Sequence, residues 1–256
     1  MNAKNHKLKL SVITTCKNES ANIAKTIESV IAQSYDGYEY IVIDGGSVDG
    51  TVDIIKSYQS KITRFISEQD RGIWHAMNKG ISLAGGEYTY FLNAGDRLFD
   101  KETLRNVFIK NEMTEDIIYG NIIEDYGSRQ IQKNYSDIIT VKYLLGNMIG
   151  HQATFTRKAL FDKYGYFDER YSFVADYDLL WRCIVKHKVS YKRLAQTIAY
   201  YDMNGLTSNP NNRDLLVREW IAVQNNNLPY FQYVYYRVIR PFLVKVRNLM
   251  FKIGAD

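Results

Sequence analysis

The chain has 256 residues, 46% of them hydrophobic, which suits one large domain with a buried core, or one domain and a tail. Its formal net charge of +5 at pH 7 lies in the C-terminal segment, so no basic nucleic-acid-binding body is expected. Cys16 and Cys183 are too few for a disulfide framework, and no signal peptide or apolar run of about 18 residues is present, so a cytoplasmic protein without a transmembrane span is predicted.

The first half of the sequence alternates between strand and helix patterns. Apolar β-rich runs predict strands at 8–15, 38–43, 62–66 and 88–92, and apolar residues at helical spacing predict helices at 22–33, 51–58 and 73–83. Ser20 is the expected N-cap of the first helix. Strands that alternate with helices form parallel sheets with right-handed crossovers. The strand ends would therefore gather along one edge of the sheet, together with Thr14, Asp44, Asp70 and Asp96.

The second half is less regular. A strand is predicted at 116–120, a hairpin around Tyr126 and Gly127, and helices at 141–145, 157–163, 176–188 and 213–224. No motif marks the stretch from about 120 to 175, where substrate specificity is expected to lie.

The last segment, 230–253, predicts a basic amphipathic helix. Apolar and aromatic side chains fall roughly on one face, Arg237, Arg240 and Arg247 fall roughly opposite, and Pro241 would kink the helix. Two interpretations remain open. Such a helix can lie on an anionic membrane surface, or it can pack against the domain or against the second subunit of a homodimer.

The stretch 87–96 carries the strongest single indication of a site. A buried strand pattern ends abruptly in Asn93, Ala94, Gly95 and Asp96, which predicts a carboxylate at the carboxyl edge of the sheet. A carboxylate beside a glycine can hold a divalent cation and a diphosphate, although an Asx turn without chemistry explains the same pattern. Asp44, at the end of the second strand, can also form an Asx turn, before Gly45 and Gly46.

Three common nucleotide and nucleophile motifs are missing. The sequence contains no Gly-x-Gly-x-x-Gly, no Gly-x4-Gly-Lys-Ser/Thr and no Gly-x-Ser-x-Gly. Dinucleotide oxidoreductases, P-loop kinases and α/β-hydrolases therefore lose their usual support.

Several strings occur together and in order: Asp-Gly-Gly-Ser-x-Asp-Gly-Thr at 44–51, Asp-x-Gly-Ile-x-x-Ala-Met-Asn-Lys-Gly at 70–80, Asn-Ala-Gly-Asp at 93–96 and Ala-Asp-Tyr-Asp at 175–178. With these strings the chain resembles glycosyltransferase family 2 over about 8–205, and most closely its bacterial capsule and exopolysaccharide transferases of the colanic-acid type. The resemblance implies an α/β GT-A fold, a Rossmann-like and mostly parallel sheet flanked by helices. The implied domain spans 1–226, with a nucleotide-sugar half at about 8–100 and an acceptor half at about 101–226, followed by the amphipathic helical tail at 227–256.

The resemblance also implies residues that bind the nucleotide-sugar donor. Thr14 and Glu19 would border the nucleoside pocket, Asp44 would accept a hydrogen bond from uracil or ribose, and Asp70 would face the nucleoside. Arg71 could pair with phosphate. The remaining donor-site residues that the resemblance implies are Asn78, Asn93 and Asp96.

Asp176 occupies the position of the catalytic base, and it could also cap its helix. Asp178 should point elsewhere. Asp96 would hold Mn²⁺ or Mg²⁺, but Asn93 and Gly95 replace acidic residues of the family motif, and Asn204 lies in the region where relatives carry a metal-ligating His. His151 and Trp181 are candidates for shaping the acceptor site, with structural roles as the alternative for both.

The expected activity is inverting transfer of a hexose or N-acetylhexosamine from a nucleotide sugar, most plausibly a UDP-sugar. The acceptor would be an oligosaccharide or a polyprenyl-diphosphate-linked glycan in bacterial surface polysaccharide synthesis, at the inner face of the cytoplasmic membrane. A sugar-phosphate nucleotidyltransferase and a non-catalytic nucleotide-sugar-binding protein are the alternatives. The first would need a Gly-rich basic loop after strand one, which here reads Thr-Thr-Cys-Lys-Asn-Glu-Ser.

Overall fold

The computed structural model describes residues 8–205 and 210–239. Its first half alternates strands and helices: β1 Leu10–Cys16, α1 Ile23–Ile31, β2 Tyr38–Asp44, α2 Thr51–Ser57, β3 Arg64–Ser67, α3 Ile73–Leu83 and β4 Tyr88–Phe91. Each predicted element of this half is present, with its ends within two residues of the prediction. The predicted cap Ser20 is wrong, because Asn22 precedes α1 and the backbone N–H of Ser20 instead donates to Asp49.

The second half contains these further elements: β5 Arg97–Leu98, α4 Thr103–Lys110, β6 Ile117–Asp125, β7 Gln130–Lys133, α5 Val141–Leu144, β8 Thr154–Arg157, α6 Ala159–Tyr164, α7 Ala175–Leu180, β9 Tyr191–Asp202, α8 Arg213–Asn227 and α9 Tyr230–Val234. The predicted hairpin is β6–β7, and Gly127 takes a φ of +76° at its turn. The predicted helix 157–163 begins too early, because Arg157 still belongs to β8. The predicted helix 176–188 is α7 followed by a π-helical segment, Trp181–Lys186.

One mixed sheet organises the molecule, in the order β3-β2-β1-β4-β8-β6-β9-β5, with β7 added to β6. Strands β1 to β4 are mutually parallel, β8 is antiparallel to both of its neighbours, and the long β6–β9 pairing is parallel again. Successive residues of a strand point to opposite faces. Val12 therefore packs in the cluster that contains α1, and Ile13 in the cluster that contains α3.

The chain reverses sharply after β4, and this turn brings a distant strand to the edge of the sheet. Gly95 has a φ of +99°, a conformation that favours glycine, and a Cβ at this position would lie 3.0 Å from Oδ2 of Asp202. β5 then pairs with the end of β9, with Arg97 opposite Tyr200. The end of β9 is thus held against the carboxyl ends of β1 and β4.

The predicted C-terminal helix is observed only in part. α9 continues as a π-helical segment, Tyr235–Ile239, and the rest of the predicted helix, with Pro241, Arg240 and Arg247, lies outside the described residues. Within 8–205 and 210–239, no helix has the length and hydropathy needed to cross a bilayer.

Candidate functional site

Asp44 ends β2 and is completely buried. Its Oδ2 accepts hydrogen bonds from the backbone N–H groups of Gly46 (3.1 Å) and Ser47 (3.0 Å) and from the Ser67 hydroxyl (2.7 Å). Burial raises the pKa of Asp44, but the hydrogen bonds from Ser47 and Ser67 outweigh burial and leave the pKa below its usual value. These contacts match the Asx-turn interpretation, and the contact of Asp44 with uracil or ribose stays a prediction.

Asp70 offers the acceptor that Asp44 does not. Its Oδ1 receives the His75 ring at 2.7 Å and the Lys79 ammonium at 2.6 Å, whereas its buried Oδ2 has no hydrogen-bond partner among the described residues. Oδ2 faces the loop after β2, where a Cβ on Gly45 would lie 3.4 Å away. A buried, unpartnered acceptor is costly, and a ligand donor at this position would remove the cost.

Two predicted donor-site residues prove to be structural. Thr14 is fully buried, and its hydroxyl donates to the carbonyl of Leu92 at 2.7 Å, so it joins β1 to β4 and borders no open surface. Asn78 exchanges hydrogen bonds with the backbone N–H (3.0 Å) and carbonyl (2.9 Å) of Phe167 and anchors that segment to α3. Residue type and spacing do not show which way a side chain points, so these structural contacts were not foreseen, and the donor-site roles of both residues stay predictions.

Glu19 and Arg71 lie in loops at the predicted edge. Glu19 is half-buried in the loop after β1 and accepts a hydrogen bond from Asn22 at 3.1 Å. The Arg71 side chain is 73% exposed and pairs with Glu169 at 2.8 Å, so a phosphate contact would have to compete with that carboxylate.

The predicted catalytic base, Asp176, is buried in the first turn of α7. Its Oδ2 lies 3.0 Å from Nδ1 of His151, and its Oδ1 accepts the backbone N–H of Tyr177 at 2.9 Å. It does not cap the helix, because Val174 occupies the N-cap position. Asp178 points elsewhere, as predicted, and pairs with Arg182 at 2.6 Å.

His151 connects Asp176 to the motif after β4. Its Nε2 lies 3.0 Å from Nδ2 of Asn93, and the Thr15 hydroxyl donates to Oδ1 of Asn93 at 2.7 Å. Asn93, at the carboxyl end of β4, thus contacts the same His151 that contacts Asp176. Trp181 takes no part in this arrangement, because it is completely buried behind α7 against Tyr177, which excludes a role as the floor of an open acceptor site.

Asp96 lies beside this group, in a buried position after β4. Its Oδ1 accepts the backbone N–H of Asp202 at 2.9 Å. Burial raises the pKa of Asp96 to about 7, while hydrogen bonds from the Asp202 backbone N–H and the Gln152 side chain act in the opposite direction. Because the Gln152 side chain contacts Asp96 and its chain neighbour His151 contacts Asp176, the two predicted carboxylates lie on the same side of the molecule.

The residues around Asp96 fit a divalent cation, although the described part of the chain has no group of three or more His, Cys, Asp or Glu side chains suited to a metal. Asp202, which the sequence analysis missed, adds a second carboxylate, and Asn204 donates to its Oδ1 at 2.9 Å from both backbone and side chain. Mg²⁺ is commonly held by one or two carboxylates together with substrate phosphates. A cation would also keep the buried Asp96 ionised. Asp202 is an acidic residue at the end of a strand, which is the pattern that identified Asp96. It was missed because β9 was not predicted.

A cavity of about 210 Å³ adjoins Asp176 and His151, both of which line it. Five aromatic side chains contribute to its wall: Trp74, Tyr135, Phe173, Tyr201 and Trp220. Aromatic rings suit the apolar faces of sugars and lipids. Tyr135 and Phe173 come from the stretch in which specificity was expected, and the other three come from outside it.

Helix α8 holds the segment that leads into α7. Glu219 accepts the backbone N–H groups of Ser172 (2.6 Å) and Phe173 (2.9 Å), just before α7 begins. Near the end of α8, Asn227 donates to Asp178 at 3.0 Å. The position of Asp176 therefore depends on a helix more than 40 residues further along the chain.

Comparison with known proteins agrees with this architecture. The model of the family "Glycosyl transferase family 2" matches residues 11–168. A "PGL/p-HBAD biosynthesis glycosyltransferase" of Mycobacterium bovis is 31% identical over 205 residues, covering 78% of each chain.

Solved structures are similar in fold. Residues 1–349 of TarS from S. aureus match with a TM-score of 0.66 and 21% identity, covering 84% of this chain and 65% of that one; the same fragment matches in complex with UDP-GlcNAc at a TM-score of 0.65. A mannosyltransferase from Pyrobaculum calidifontis in complex with GDP-Man and Mn²⁺ matches with a TM-score of 0.57 and 17% identity, over 74% of this chain and 56% of that one.

Proposed function

Because the chain belongs to glycosyl transferase family 2, we propose that it transfers a hexose or N-acetylhexosamine, with inversion, from a nucleotide sugar to a glycan acceptor. One observation carries the proposal: the buried carboxylate of Asp176 lines an aromatic cavity and shares His151 with the Asp96 edge. Donor chemistry and acceptor hydroxyl would meet at this point.

The Asp176 carboxylate takes the proton from the acceptor hydroxyl as that oxygen attacks the anomeric carbon. Attack comes from the face opposite the leaving nucleoside diphosphate, so the anomeric configuration inverts. Asp96 and Asp202 would hold Mn²⁺ or Mg²⁺, which, when bound, stabilises the negative charge of the departing diphosphate. The backbone N–H of Tyr177 and the ring of His151 keep both carboxylate oxygens of Asp176 in place.

A UDP-sugar is the proposed donor. The free Oδ2 of Asp70 is suited to the imide N–H of uracil, and Glu19 borders the same loop cluster. The complex of TarS with UDP-GlcNAc supports this choice, and the Mn²⁺ complex of the mannosyltransferase supports a metal at the Asp96 edge.

The proposed acceptor is an oligosaccharide or a lipid-linked glycan of bacterial surface polysaccharide synthesis, of the capsule or exopolysaccharide kind. The tail at 227–256 would keep the domain at 1–226 on the inner face of the cytoplasmic membrane. Exposed aromatic side chains at the start of this tail, Tyr230 (75%) and Phe231 (84%), support the membrane contact.

Substitution of Asp176 tests the proposed function. D176N should lower turnover of UDP-sugars about 100-fold or more, because general-base catalysis contributes on that scale. UDP should still raise the melting temperature of D176N, since at about 100 times Kd a ligand adds about 2.7 kcal/mol of stability. The matched control is D178N, which removes the contact with Arg182 and should retain turnover in whatever fraction stays folded.

Three outcomes would contradict the proposal. Turnover of D176N equal to that of the unaltered protein would remove Asp176 from the chemistry. Binding of UDP-sugars without any transfer to glycan or lipid acceptors would favour the non-catalytic alternative, and formation of a nucleotide sugar from a nucleoside triphosphate would favour the nucleotidyltransferase.

A further inference from the structure

We infer that Thr15 and Asn93 are positioning residues that fix His151 as the neutral tautomer protonated on Nδ1, so that this ring donates a hydrogen bond to Asp176. The inference rests on the proposed function of Asp176 as the base. It concerns a continuous hydrogen-bonded chain, Thr15–Asn93–His151–Asp176, with links of 2.7, 3.0 and 3.0 Å.

The direction of each link follows from the ionised carboxylate of Asp176 and from the orientation of the Asn93 amide, whose Oδ1 faces the Thr15 hydroxyl. An ionised carboxylate can only accept, so the 3.0 Å contact with Asp176 requires a proton on Nδ1 of His151. The Thr15 hydroxyl donates to Oδ1 of Asn93, which leaves the amide nitrogen pointing to the ring. That nitrogen has only hydrogens to offer, so Nε2 of His151 must be the acceptor. The ring is then neutral.

The surroundings make this arrangement specific. The Asp176 side chain is only 7% exposed and that of His151 14%, and Thr15 is buried, so water competes poorly for these links. The two ends are anchored independently, by β1 at Thr15 and by the Tyr177 N–H at Asp176. A ring held in this way orients one oxygen of the base without placing a full positive charge beside it.

The same argument explains why asparagine stands at position 93. An aspartate there could only accept, and would need a second proton on the ring. The resulting imidazolium would partly neutralise the carboxylate that has to remove a proton. Asn93 thus has a positive role in this chain, beyond the loss of an acidic metal ligand.

Nitrogen-15 NMR of the imidazole rings tests the inference directly. The chain has four His residues, and the signals of His151 are identified by their loss in H151Q. The full-length protein should show a protonated Nδ1 and an unprotonated Nε2 at His151. T15V removes the hydroxyl that sets the amide, and should give a mixture of tautomers and a kcat about tenfold lower at unchanged KM for the donor. T15S should restore both.

Thr14 provides a matched control, because its hydroxyl lies one residue away but donates to the Leu92 carbonyl outside the chain of links. T14V should leave the tautomer of His151 unchanged, whatever its effect on stability. A proton on Nε2 instead of Nδ1 in the unaltered protein, or a T15V variant with the same tautomer as T14V, would overturn the inference. The NMR result does not need turnover, so it is separate from the D176N test of the proposed function.

Discussion

Asp96 shows how one buried carboxylate links metal binding to stability. Its pKa of about 7 in the folded protein lies above the value near 3.8 expected for an exposed aspartate. Between about pH 4 and pH 7 the folded state therefore holds a proton that the unfolded chain has released, and stability must fall as pH rises through this window. The cause is burial of the carboxylate. The fall in stability with pH is therefore expected for the protein without a bound cation, because a cation would favour the ionised carboxylate.

We therefore predict that, in a metal chelator, the free energy of unfolding in urea falls between pH 4 and pH 7 by up to a few kcal/mol. D96N, which cannot ionise, should lose this part of the pH dependence. Mn²⁺ added at pH 7.5 should raise the stability of the unaltered protein and should have little effect on D96N. An equal pH slope in both proteins would contradict the assignment.

For single residues, the sequence predicted which side chains belong to the site better than it predicted where they point. Asp176, Asp96 and His151 were identified by residue type and motif, and the structure brings them together. Thr14 and Thr15 show the limit: they are adjacent in β1, yet one hydroxyl points into the core and the other to Asn93. Which of two neighbouring residues in a strand faces the site depends on the register of the strands, and the register cannot be read from composition.

Among the elements, α8 carries a prediction of its own. Glu219 is buried and accepts two backbone N–H groups that lead into α7. E219A should destabilise the protein by about 2–3 kcal/mol, because hydrogen bonds to a charged acceptor are lost and two donors remain unsatisfied. It should also lower kcat more than the donor KM, since the segment it releases leads to Asp176. Thermal unfolding and steady-state kinetics measure the two effects.

The control for E219A is R218A, the exposed neighbour on the same helix. Its truncation removes a similar length of side chain without touching α7, so stability should change by less than about 0.5 kcal/mol. If E219A and R218A unfold at the same temperature with the same kcat, α8 does not hold the catalytic helix.

The elements of the second half show why sequence patterns failed there. β9 is the longest strand, with 12 residues, but its burial does not alternate cleanly and its pairing with β6 shifts register near Asn121. β5 has only two residues. A strand that bulges or that is very short leaves no period-two signal, so neither was predicted. The missed β9 is also the strand that brings Asp202 to the site.

Over the whole molecule, the predictable part is the donor half. Its regular alternation of strand and helix predicts a parallel sheet, with the loops that follow the strands along one edge. The cavity beside Asp176 draws its wall from segments as distant as Trp74, Tyr135 and Trp220, so it exists only once the chain is folded. The resemblance to family 2 predicted the fold of the second half as well, but it did not predict which side chains line the cavity.

The outer surface near the C-terminus leads to the last prediction, the membrane contact. Exposed apolar side chains concentrate on α8, on α9 and on the π-helical segment that follows: Leu215, Val217, Ile221, Tyr230, Phe231, Tyr233, Tyr235 and Ile239. The adjoining sequence, 229–252, has basic residues and no acidic ones. Aromatic rings beside positive charge suit the interface of an anionic bilayer, where each basic residue adds about 1 kcal/mol.

The full-length protein should therefore sediment with vesicles containing about 30% anionic lipid, and less so at high salt, because the charge contribution is screened. The double variant Y230S/F231S should bind at least tenfold more weakly, since burial of one large apolar side chain is worth about 1.5–3 kcal/mol. I138S, which removes an exposed side chain (67%) from another part of the surface, should bind as the unaltered protein does. Equal binding by both variants would show that these aromatic residues do not enter the bilayer. A concentration-dependent dimer in solution that Y230S/F231S abolishes would instead assign the surface to a second subunit.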